Sequence, residues 1–239
     1  EDTTADAVED APSPSDASAV EDSSSPADVD DPDVEDQPSA PLYLLSVNNA
    51  THTLEKIDVA TGAGTDICQL ATPYSYPSLT FSRDNTLYAS RTGSTLDAID
   101  PCTCIITTIG PYDGFTGVNG ITSDQGQNLF GVSHIQDELI TIDTTTGAGT
   151  SVGPLQVNFG YTGATWAEEG QTVYAIDASS DALFEISPDT GEATQIAPLS
   201  QPMGTVGIEM HPANGLLYAC SDAAHLLEID IVTGEVTDI

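Results

Sequence analysis

One short sequence unit occurs five times in this chain, and its repetition constrains the fold more than any other feature. The last copy, Leu226 to Ile239, is an apolar run that ends in Asp230, followed by Thr233-Gly234 and a second run rich in Thr and Val. An Asp side chain can bond to the backbone two residues on, and Gly accepts a positive φ without steric cost. The unit therefore predicts a β-hairpin.

Two independent markers repeat at the same period. An isoleucine of the first hairpin strand returns after 42, 43, 44 and 43 residues, at Ile57, Ile99, Ile142, Ile186 and Ile229. An aromatic residue of the preceding strand returns after 45, 42, 44 and 44 residues, at Tyr43, Tyr88, Phe130, Tyr174 and Tyr218. In the second copy, Cys104 takes the place of the turn glycine.

Each repeat contains up to four short strands, which we name a to d in chain order. Strand a is apolar, strand b carries the aromatic marker, and strands c and d form the hairpin. A period near 43 with four strands per repeat is typical of β-propellers, whereas β-helix repeats are shorter and a sandwich would not repeat so regularly. We therefore predict an all-β fold, a five-bladed β-propeller over residues 42–239, with repeats of about 42–73, 74–112, 113–155, 156–199 and 200–239.

The pattern Leu-Tyr-Ala … Leu-x-x-Ile-Asp-x-x-Thr-Gly-x-x-Thr resembles the bacterial YVTN-like and quinoprotein-like propeller repeats of secreted and surface proteins. The resemblance covers residues 42–239. It implies the propeller architecture, and because such repeats serve many roles it implies no single function.

The first repeat departs from the pattern, because no apolar segment precedes Leu42 that could form its strand a. The last repeat reaches a strand d at Ile239. Three explanations stay open: the sequence is truncated, the first blade has three strands, or another chain donates the fourth. In the last case, the innermost position of the first blade is a strand-acceptor edge.

Residues 1–41 are rich in Asp, Glu, Ser, Pro, Ala and Thr and contain no aromatic residue. Such a segment buries too little apolar surface to offset the entropy lost on folding, so we predict a disordered acidic leader or spacer. It resembles the spacers that follow the lipid-modified cysteine of bacterial lipoproteins, although this sequence does not contain that cysteine. We expect an extracellular or cell-surface location, with or without such an anchor.

The chain carries 38 acidic and three basic residues, for a formal net charge of -35. This charge repels nucleic acid and anionic membranes, so neither is an expected partner. No run of 18 apolar residues is present to predict a transmembrane helix. The charge favours cations, basic partners or high salt, and its simplest explanation is solubility or adaptation to a saline environment.

Aromatic residues concentrate in the loops from strand d to the next strand a. Because successive strands are antiparallel, these loops should share one face of the propeller with the b-to-c loops. Rings around a central mouth suit stacking against sugars or peptide side chains; the alternative is that they fill the channel and pack between blades. We expect a protein or glycan at this face, with the candidates Tyr74, Tyr76, Tyr112, Phe115, Phe159 and Tyr161.

The sequence assigns no cofactor. Calcium is the most natural candidate for so acidic a chain, but no Asp-x-Asp-x-Asp-Gly loop is present. Histidine with carboxylate could hold a transition metal, although equivalent loops of different blades are spread around a ring. The residues in or beside the b-to-c loops are His52, His134, His225, Asp137, Asp181 and Asp222.

Four cysteines fit an oxidising compartment. Cys102 and Cys104 replace turn residues of the second hairpin and are the disulfide candidates, either bridged to each other or with one paired to a third cysteine. A Cys-x-Cys bridge is strained. Cys68 and Cys220 fall in different blades, so no bond between them is expected and both are predicted to be buried thiols.

The common hydrolase, nucleotide-binding and haem motifs do not occur in the sequence. Glu209, Asn119 and His211 could line a channel, but they are too few to define a mechanism. The first hypothesis is therefore a non-enzymatic secreted or cell-surface interaction module. The alternatives are a structural matrix or filament subunit that self-assembles by strand donation, and a metal-dependent hydrolase or lyase with a channel-centred site.

Overall fold

The computed structural model describes residues 42–71, 73–124, 126, 128–204, 206–221 and 225–239. In this part of the chain, strands form five separate antiparallel sheets, and the predicted five-bladed β-propeller is confirmed. The predicted leader, residues 1–41, lies outside the described residues. No helix long and apolar enough to cross a bilayer occurs where the chain is described.

Blade 1 has three strands, and blades 2 to 5 have four strands each. Blade 1 contains β1 (Tyr43–Asn48), β2 (Thr53–Asp58) and β3 (Gly64–Gln69). Blade 2 contains β4 (Ser78–Phe81), β5 (Leu87–Arg91), β6 (Thr95–Ile99) and β7 (Ile106–Pro111). Blade 3 contains β8 (Val118–Ser123), β9 (Leu129–Ser133), β10 (Glu138–Ile142) and β11 (Gly149–Pro154). Blade 4 contains β12 (Thr162–Ala167), β13 (Thr172–Asp177), β14 (Ala182–Ile186) and β15 (Ala193–Pro198). Blade 5 contains β16 (Val206–Met210), β17 (Leu217–Ser221), β18 (Leu226–Ile229) and β19 (Val236–Asp238).

The first strand of each four-stranded blade lies nearest the propeller axis. β4 packs against β8, β8 against β12 and β12 against β16, so these four strands form an inner ring. The next strand outward is buried on both faces between neighbouring blades, and in β9 every residue is buried. This burial explains why the strand reads as a continuous apolar run rather than an alternating one.

The hairpin turns form by the mechanism that the sequence predicts. The Asp143 carboxylate accepts hydrogen bonds from the N–H groups of Thr145, at 2.7 Å, and Thr146, at 3.0 Å. These bonds lower the pKa of Asp143, because they favour the charged form. Asp230 makes the same pair of bonds in blade 5.

Each Thr-Gly turn also packs against the outer strand of the preceding blade. Gly147 and Gly191 have φ values of 83° and 77°. A Cβ on either residue would overlap the carbonyl oxygen of Gly110 or Gly153 in that strand. Glycine is therefore required both by the turn conformation and by the close approach of two backbones.

Blade 2 replaces this contact with a covalent bond. Cys104, in the turn between β6 and β7, forms a disulfide with Cys68 of β3 in blade 1, with a Cα–Cα distance of 6.0 Å. Cys104 therefore pairs with a third cysteine rather than with Cys102, whose thiol is free and exposed. The prediction that Cys68 is a thiol is wrong, because its strand lies against the turn of the next blade. Cys220 is a free, partly buried thiol, and burial raises its pKa to about 11.

Packing between blades 5 and 1 closes the ring. Leu44 and Ile57 of blade 1 form one apolar cluster with Tyr218 and Leu226 of blade 5. In the described part of the chain no inner strand lies in front of β1, and a cavity opens at this junction between blades 5 and 2.

Candidate functional site

A cavity of about 1180 Å³ occupies the position where blade 1 would carry its innermost strand. Its walls are β1 and the inner strands β4 and β16, together with residues of β12 and the ends of the a-to-b turns. The aromatic marker Tyr43 identifies β1 as a strand b, so the described part of blade 1 consists of strands b, c and d. Among the described residues, no strand a occupies the place of this cavity.

The backbone of β1 faces this cavity with an edge that no described strand pairs with. The Val59 N–H donates to the Leu42 carbonyl oxygen at 3.2 Å, so the Leu42–Val59 pair is a hydrogen-bonded pair of the ladder. Hydrogen-bonded and non-hydrogen-bonded pairs alternate along antiparallel strands. The N–H and C=O groups of Tyr43, Leu45 and Val47 therefore point away from β2 and toward the cavity.

The two flanking strands also indicate open space at this place. In blade 3, a Cβ on Gly120 would lie 2.8 Å from Ala164 of the next inner strand, whereas a Cβ on the equivalent Gly207 would meet no atom within 4 Å. On the other flank, Phe81 of β4 is 45 % exposed. A gap of one strand width between the described strands explains both observations.

Apolar side chains cover most of the cavity wall. Leu45 and Val47 pack toward blade 2, and Tyr43 is 41 % exposed with the Lys56 Nζ 4.6 Å from its ring centroid. Trp166, the one tryptophan of the chain, lies on the wall and stacks on Phe130 at a centroid distance of 5.8 Å. Its indole N–H is buried and has no hydrogen-bond partner in the described structure.

Glu209 is the titratable group that the cavity perturbs most. Its carboxylate accepts a hydrogen bond from the Thr165 hydroxyl at 3.3 Å. Burial among apolar wall residues raises its pKa to about 7, and the Thr165 bond opposes this shift. Glu209 therefore changes its charge near neutral pH, whereas an exposed carboxylate would stay ionised.

Acidic residues dominate the rim of the cavity on the side of the a-to-b turns. Asp124, Glu168 and Glu169 lie there together with a single base, Arg83. Their summed charge makes this rim attractive to a basic group.

The d-to-a loops and the b-to-c loops share one face, as the sequence predicts. The Asn49 side chain donates to the Tyr76 carbonyl oxygen and accepts from the Tyr76 N–H, and the Thr92 N–H donates to the Ser75 carbonyl oxygen. Similar bonds join Asp137 to the N–H of Phe159 at 2.9 Å. These contacts lock each loop to its neighbour.

The six aromatic candidates divide into two groups. Tyr76, Tyr112 and Phe159 are buried and pack between blades. Phe115 is partly buried, whereas Tyr74 and Tyr161 are 39 % and 56 % exposed. Tyr161 lies 5.0 Å from the His134 ring, and Tyr74 covers the Arg91 guanidinium at 4.5 Å. The structure thus brings no continuous aromatic patch of all six residues to the surface.

A buried ion pair lies beneath these loops. Asp97 is fully buried, and its Oδ2 accepts from the Tyr76 hydroxyl at 2.8 Å and lies 3.4 Å from the Arg91 Nε. Burial raises the pKa of Tyr112 far above its ordinary value. Asp97, Arg91 and Tyr112 pack within the fold and do not line the cavity, whereas Tyr76 also lies on the cavity wall.

Two of the three candidate histidines make local contacts, whereas the Nδ1 of His52 is buried without a hydrogen-bond partner in the described part of the chain. His134 Nδ1 lies 2.6 Å from the Gly117 carbonyl oxygen, and His225 Nδ1 lies 2.8 Å from Asp238 Oδ2. Asp181 accepts from the Met203 N–H at 3.1 Å, and Asp222 lies outside the described residues. Among the residues that the structure describes, no three His, Cys, Asp or Glu side chains are grouped as metal ligands would be.

Three residues were expected to line a channel, and the structure brings only two of them together. Glu209 and His211 lie on the cavity wall, whereas Asn119 packs beside Gly93 in a b-to-c loop. Sequence reasoning missed the wall residues Tyr43, Phe81 and Gly207. The signal that could have found them is the absence of a strand a before Tyr43, combined with the strand a segments that flank the gap.

Comparisons with known proteins identify the fold and not a family. No protein-family model matches this sequence, and no curated protein shows significant similarity to it. A Bacteroides thetaiotaomicron protein of unknown function has a similar structure, with a TM-score of 0.61 and 14% identity over 83% of this chain. This chain spans 55% of the length of that protein.

Two further solved structures are similar to this chain. A chain of the nidogen/laminin complex has a TM-score of 0.57 and 13% identity, with 79% of this chain and 74% of that chain covered. A catalytically inactive virginiamycin B lyase of Staphylococcus aureus with quinupristin has a TM-score of 0.50 and 14% identity, with 84% of this chain and 71% of that chain covered. At these identities the likeness shows the propeller fold alone.

Proposed function

We propose that this protein is a non-enzymatic interaction module that binds an extended segment of a partner protein along β1. The observation that carries the proposal is an edge of β1 that no described strand pairs with, inside a cavity of about 1180 Å³. Adding a peptide strand to an open sheet edge is a common mode of recognition, in which backbone hydrogen bonds supply affinity and side-chain pockets supply specificity.

The chemistry of the cavity suits a peptide. Three N–H and three C=O groups of Tyr43, Leu45 and Val47 are available for an antiparallel ladder. Each backbone hydrogen bond contributes about 1 kcal/mol net. The apolar wall adds burial on both sides of the incoming strand, since Phe81 and Tyr43 are exposed in the free protein.

An extracellular or cell-surface location fits this role and remains part of the proposal. The disulfide between Cys68 and Cys104 supports it, because such bonds persist in oxidising compartments. The nidogen/laminin complex, which contains a similar fold, is an assembly of two proteins. That complex supports protein binding as a role for the architecture without identifying a partner here.

A peptide library screened against the full chain tests the proposal. Extended decapeptides should include binders that change the fluorescence of Trp166, the one tryptophan, which lies on the cavity wall. Gly207→Val should abolish their binding without unfolding the protein, because its side chain projects into open space within the gap. Thr150→Val, on the exposed outer strand β11, is the matched control and should bind normally.

Peptides that bind the Gly207→Val variant as tightly as the unmodified protein would contradict the proposed site. A concentration-dependent increase in size, abolished by the same substitution, would instead show that a second copy of the chain fills the edge and would favour assembly by strand donation. A monomer that selects no peptide at all would overturn the proposal.

The loop face is the second candidate site, and it is supported by one exposed aromatic pair. Tyr161 is 56 % exposed and lies 5.0 Å from His134, which suits stacking against a sugar ring or a partner side chain. Screening a glycan array with the unmodified protein and with Tyr161→Ala tests this site. Signals that are equal for both proteins would exclude Tyr161 from it.

A further inference from the structure

We infer that the segment bound along β1 has the sequence pattern small–Ala–Thr–aromatic, followed at once by basic residues. The inference rests on the proposed function and specifies the chemistry of the partner. It follows from three features of the described residues: the strands that occupy the equivalent place in blades 2 to 5, one residue of β1 that departs from its counterparts, and the charge at one end of the cavity.

The four complete blades show what fits beside a strand b. The residue paired with the aromatic marker is Thr or Glu, the preceding residue is aliphatic, and the one before that is Gly or Ser. The four segments are Ser78-Leu-Thr-Phe81, Gly120-Ile-Thr-Ser123, Gly163-Ala-Thr-Trp166 and Gly207-Ile-Glu-Met210.

Contacts with the neighbouring inner strand explain both the small residue and the threonine. A Cβ on Gly120 would lie 2.8 Å from Ala164, so adjacent inner strands approach closely there and leave room for only a small residue. The Thr165 hydroxyl accepts from the Met210 N–H of the next blade at 2.9 Å. A threonine in the gap would stand in the same relation to the Phe81 N–H of β4.

Leu44 changes the preference for the aliphatic residue. The residue that follows the aromatic marker is Ala89, Gly131, Ala175 or Ala219 in the complete blades, and it pairs directly with the aliphatic residue of strand a. Directly paired residues share a face of the sheet. In β1 this residue is Leu44, which is 8 % exposed and packed toward blade 5.

At this pair, the larger side chain therefore lies on strand b and the smaller one should lie on the incoming strand a. A large side chain on β1 leaves room for a small one on the incoming strand, and a leucine there would overpack the site. Alanine, as in Gly163-Ala-Thr-Trp166, is the natural occupant opposite Leu44.

The direction of the bound segment determines which of its ends lies at the acidic rim of the cavity. Antiparallel pairing to β1 starts the incoming strand near Asn48 and ends it near Tyr43, where the rim carries Asp124, Glu168 and Glu169. Basic residues after the aromatic position would meet this rim. The acidic leader of a second copy does not fit, because residues 1–41 contain no glycine, aromatic or basic residue.

Four synthetic peptides test the inference. Their binding to the full chain is measured by the fluorescence of Trp166. The reference peptide is Ser-Gly-Ala-Thr-Phe-Lys-Lys. Replacing its Ala by Leu should weaken binding by about tenfold or more, which corresponds to ordinary overpacking. Replacing Lys-Lys by Glu-Glu should also weaken it, and more strongly at low salt than at high salt. N-methylation of the backbone N–H groups that face β1 should abolish binding.

A specificity switch provides the decisive comparison. Leu44→Ala should bind the leucine peptide more tightly than the alanine peptide, which reverses the order found with the unmodified protein. If Leu44→Ala does not fold, the peptide series on the unmodified protein still decides. Equal binding of the alanine and leucine peptides would overturn the inference. Binders of another pattern that Gly207→Val blocks would overturn it too, yet leave the proposed function standing, whereas no peptide binding at all would remove both.

Discussion

Cys104 bonds to Cys68 at a position where other blade junctions place a glycine against a backbone carbonyl. The turn of blade 2 has a positive φ of 55° at Cys104, so the backbone keeps the shape that glycine has in the other turns. The disulfide thus occupies a contact that the repeat already makes, and it joins blade 1, which has no inner strand in the described structure, to blade 2.

Reduction of this disulfide should destabilise the propeller. The bond closes a loop with a sequence separation of 36, and the loss should be roughly 3–4 kcal/mol by the chain-entropy estimate. Urea unfolding with and without a reductant measures it. The double variant Cys68→Ala/Cys104→Gly should lose less free energy of unfolding than the reduced protein does, because glycine adopts the positive φ of residue 104 without strain. Equal midpoints in both conditions would contradict the stapling role.

Two glycines with similar backbone conformations should respond differently to alanine. Gly215 has a φ of 69° and no atom within 4 Å of a built Cβ, so Gly215→Ala should cost only about 1 kcal/mol for the strained conformation. Gly191→Ala adds overlap with the Gly153 carbonyl oxygen and should cost at least about 2 kcal/mol more. Thermal unfolding of both variants checks the difference, and equal losses would argue against close packing of the turn.

Glu209 should make stability depend on pH around neutrality. Its pKa is about 7 in the fold and ordinarily 4.5, so ionisation opposes folding. The cost develops as pH rises from the lower to the higher value and is complete above pH 7. Glu209→Gln should therefore stabilise the protein at pH 8, by roughly 1–3 kcal/mol given its contact with the open cavity, and much less at pH 5.

Urea unfolding at the two pH values measures this effect. Glu192→Gln, on the exposed outer surface of blade 4, is the control and should show no comparable gain at pH 8. A Glu209→Gln gain of the same size at both pH values would show that ionisation is not its cause.

Loss of Arg91 should leave a buried charge without its partner. The Asp97 side chain is fully buried and that of Arg91 is 16 % exposed. Arg91→Leu should cost about 3 kcal/mol, whereas the double variant Arg91→Leu/Asp97→Leu should recover part of the loss because no uncompensated charge remains. A double-mutant cycle by chemical unfolding decides, and additive losses would show that the two side chains do not interact.

The repeat could be predicted from the sequence because its determinants are local. Asp143 and Gly147 specify a turn through bonds within five residues, and the same residues recur at one period. Strand order and register followed, since consecutive strands of one blade pair with each other. Contacts between blades depend on how far the blades are staggered, and for this reason the partner of Cys104 was missed.

The candidate site was less accessible to sequence reasoning. Tyr112 and Tyr161 occur in equivalent loops, yet one is fully buried and the other is 56 % exposed. Loop path and packing against the next blade decide between these outcomes, and residue type does not. The sequence indicated the cavity, because no strand a precedes Tyr43. Its wall could not be predicted, because Gly207 and Phe81 come from different blades and meet only in the folded chain.

The open edge of β1 also bears on the colloidal behaviour of the protein. An unpaired strand edge is a template for pairing between identical chains, and long-range repulsion is one protection against such pairing. At pH 7 the formal charge of -35 keeps molecules apart, but this repulsion vanishes near the isoelectric point of about 4.1. Mild acid should therefore turn the same edge into the starting point of precipitation, and a bound peptide strand should prevent it.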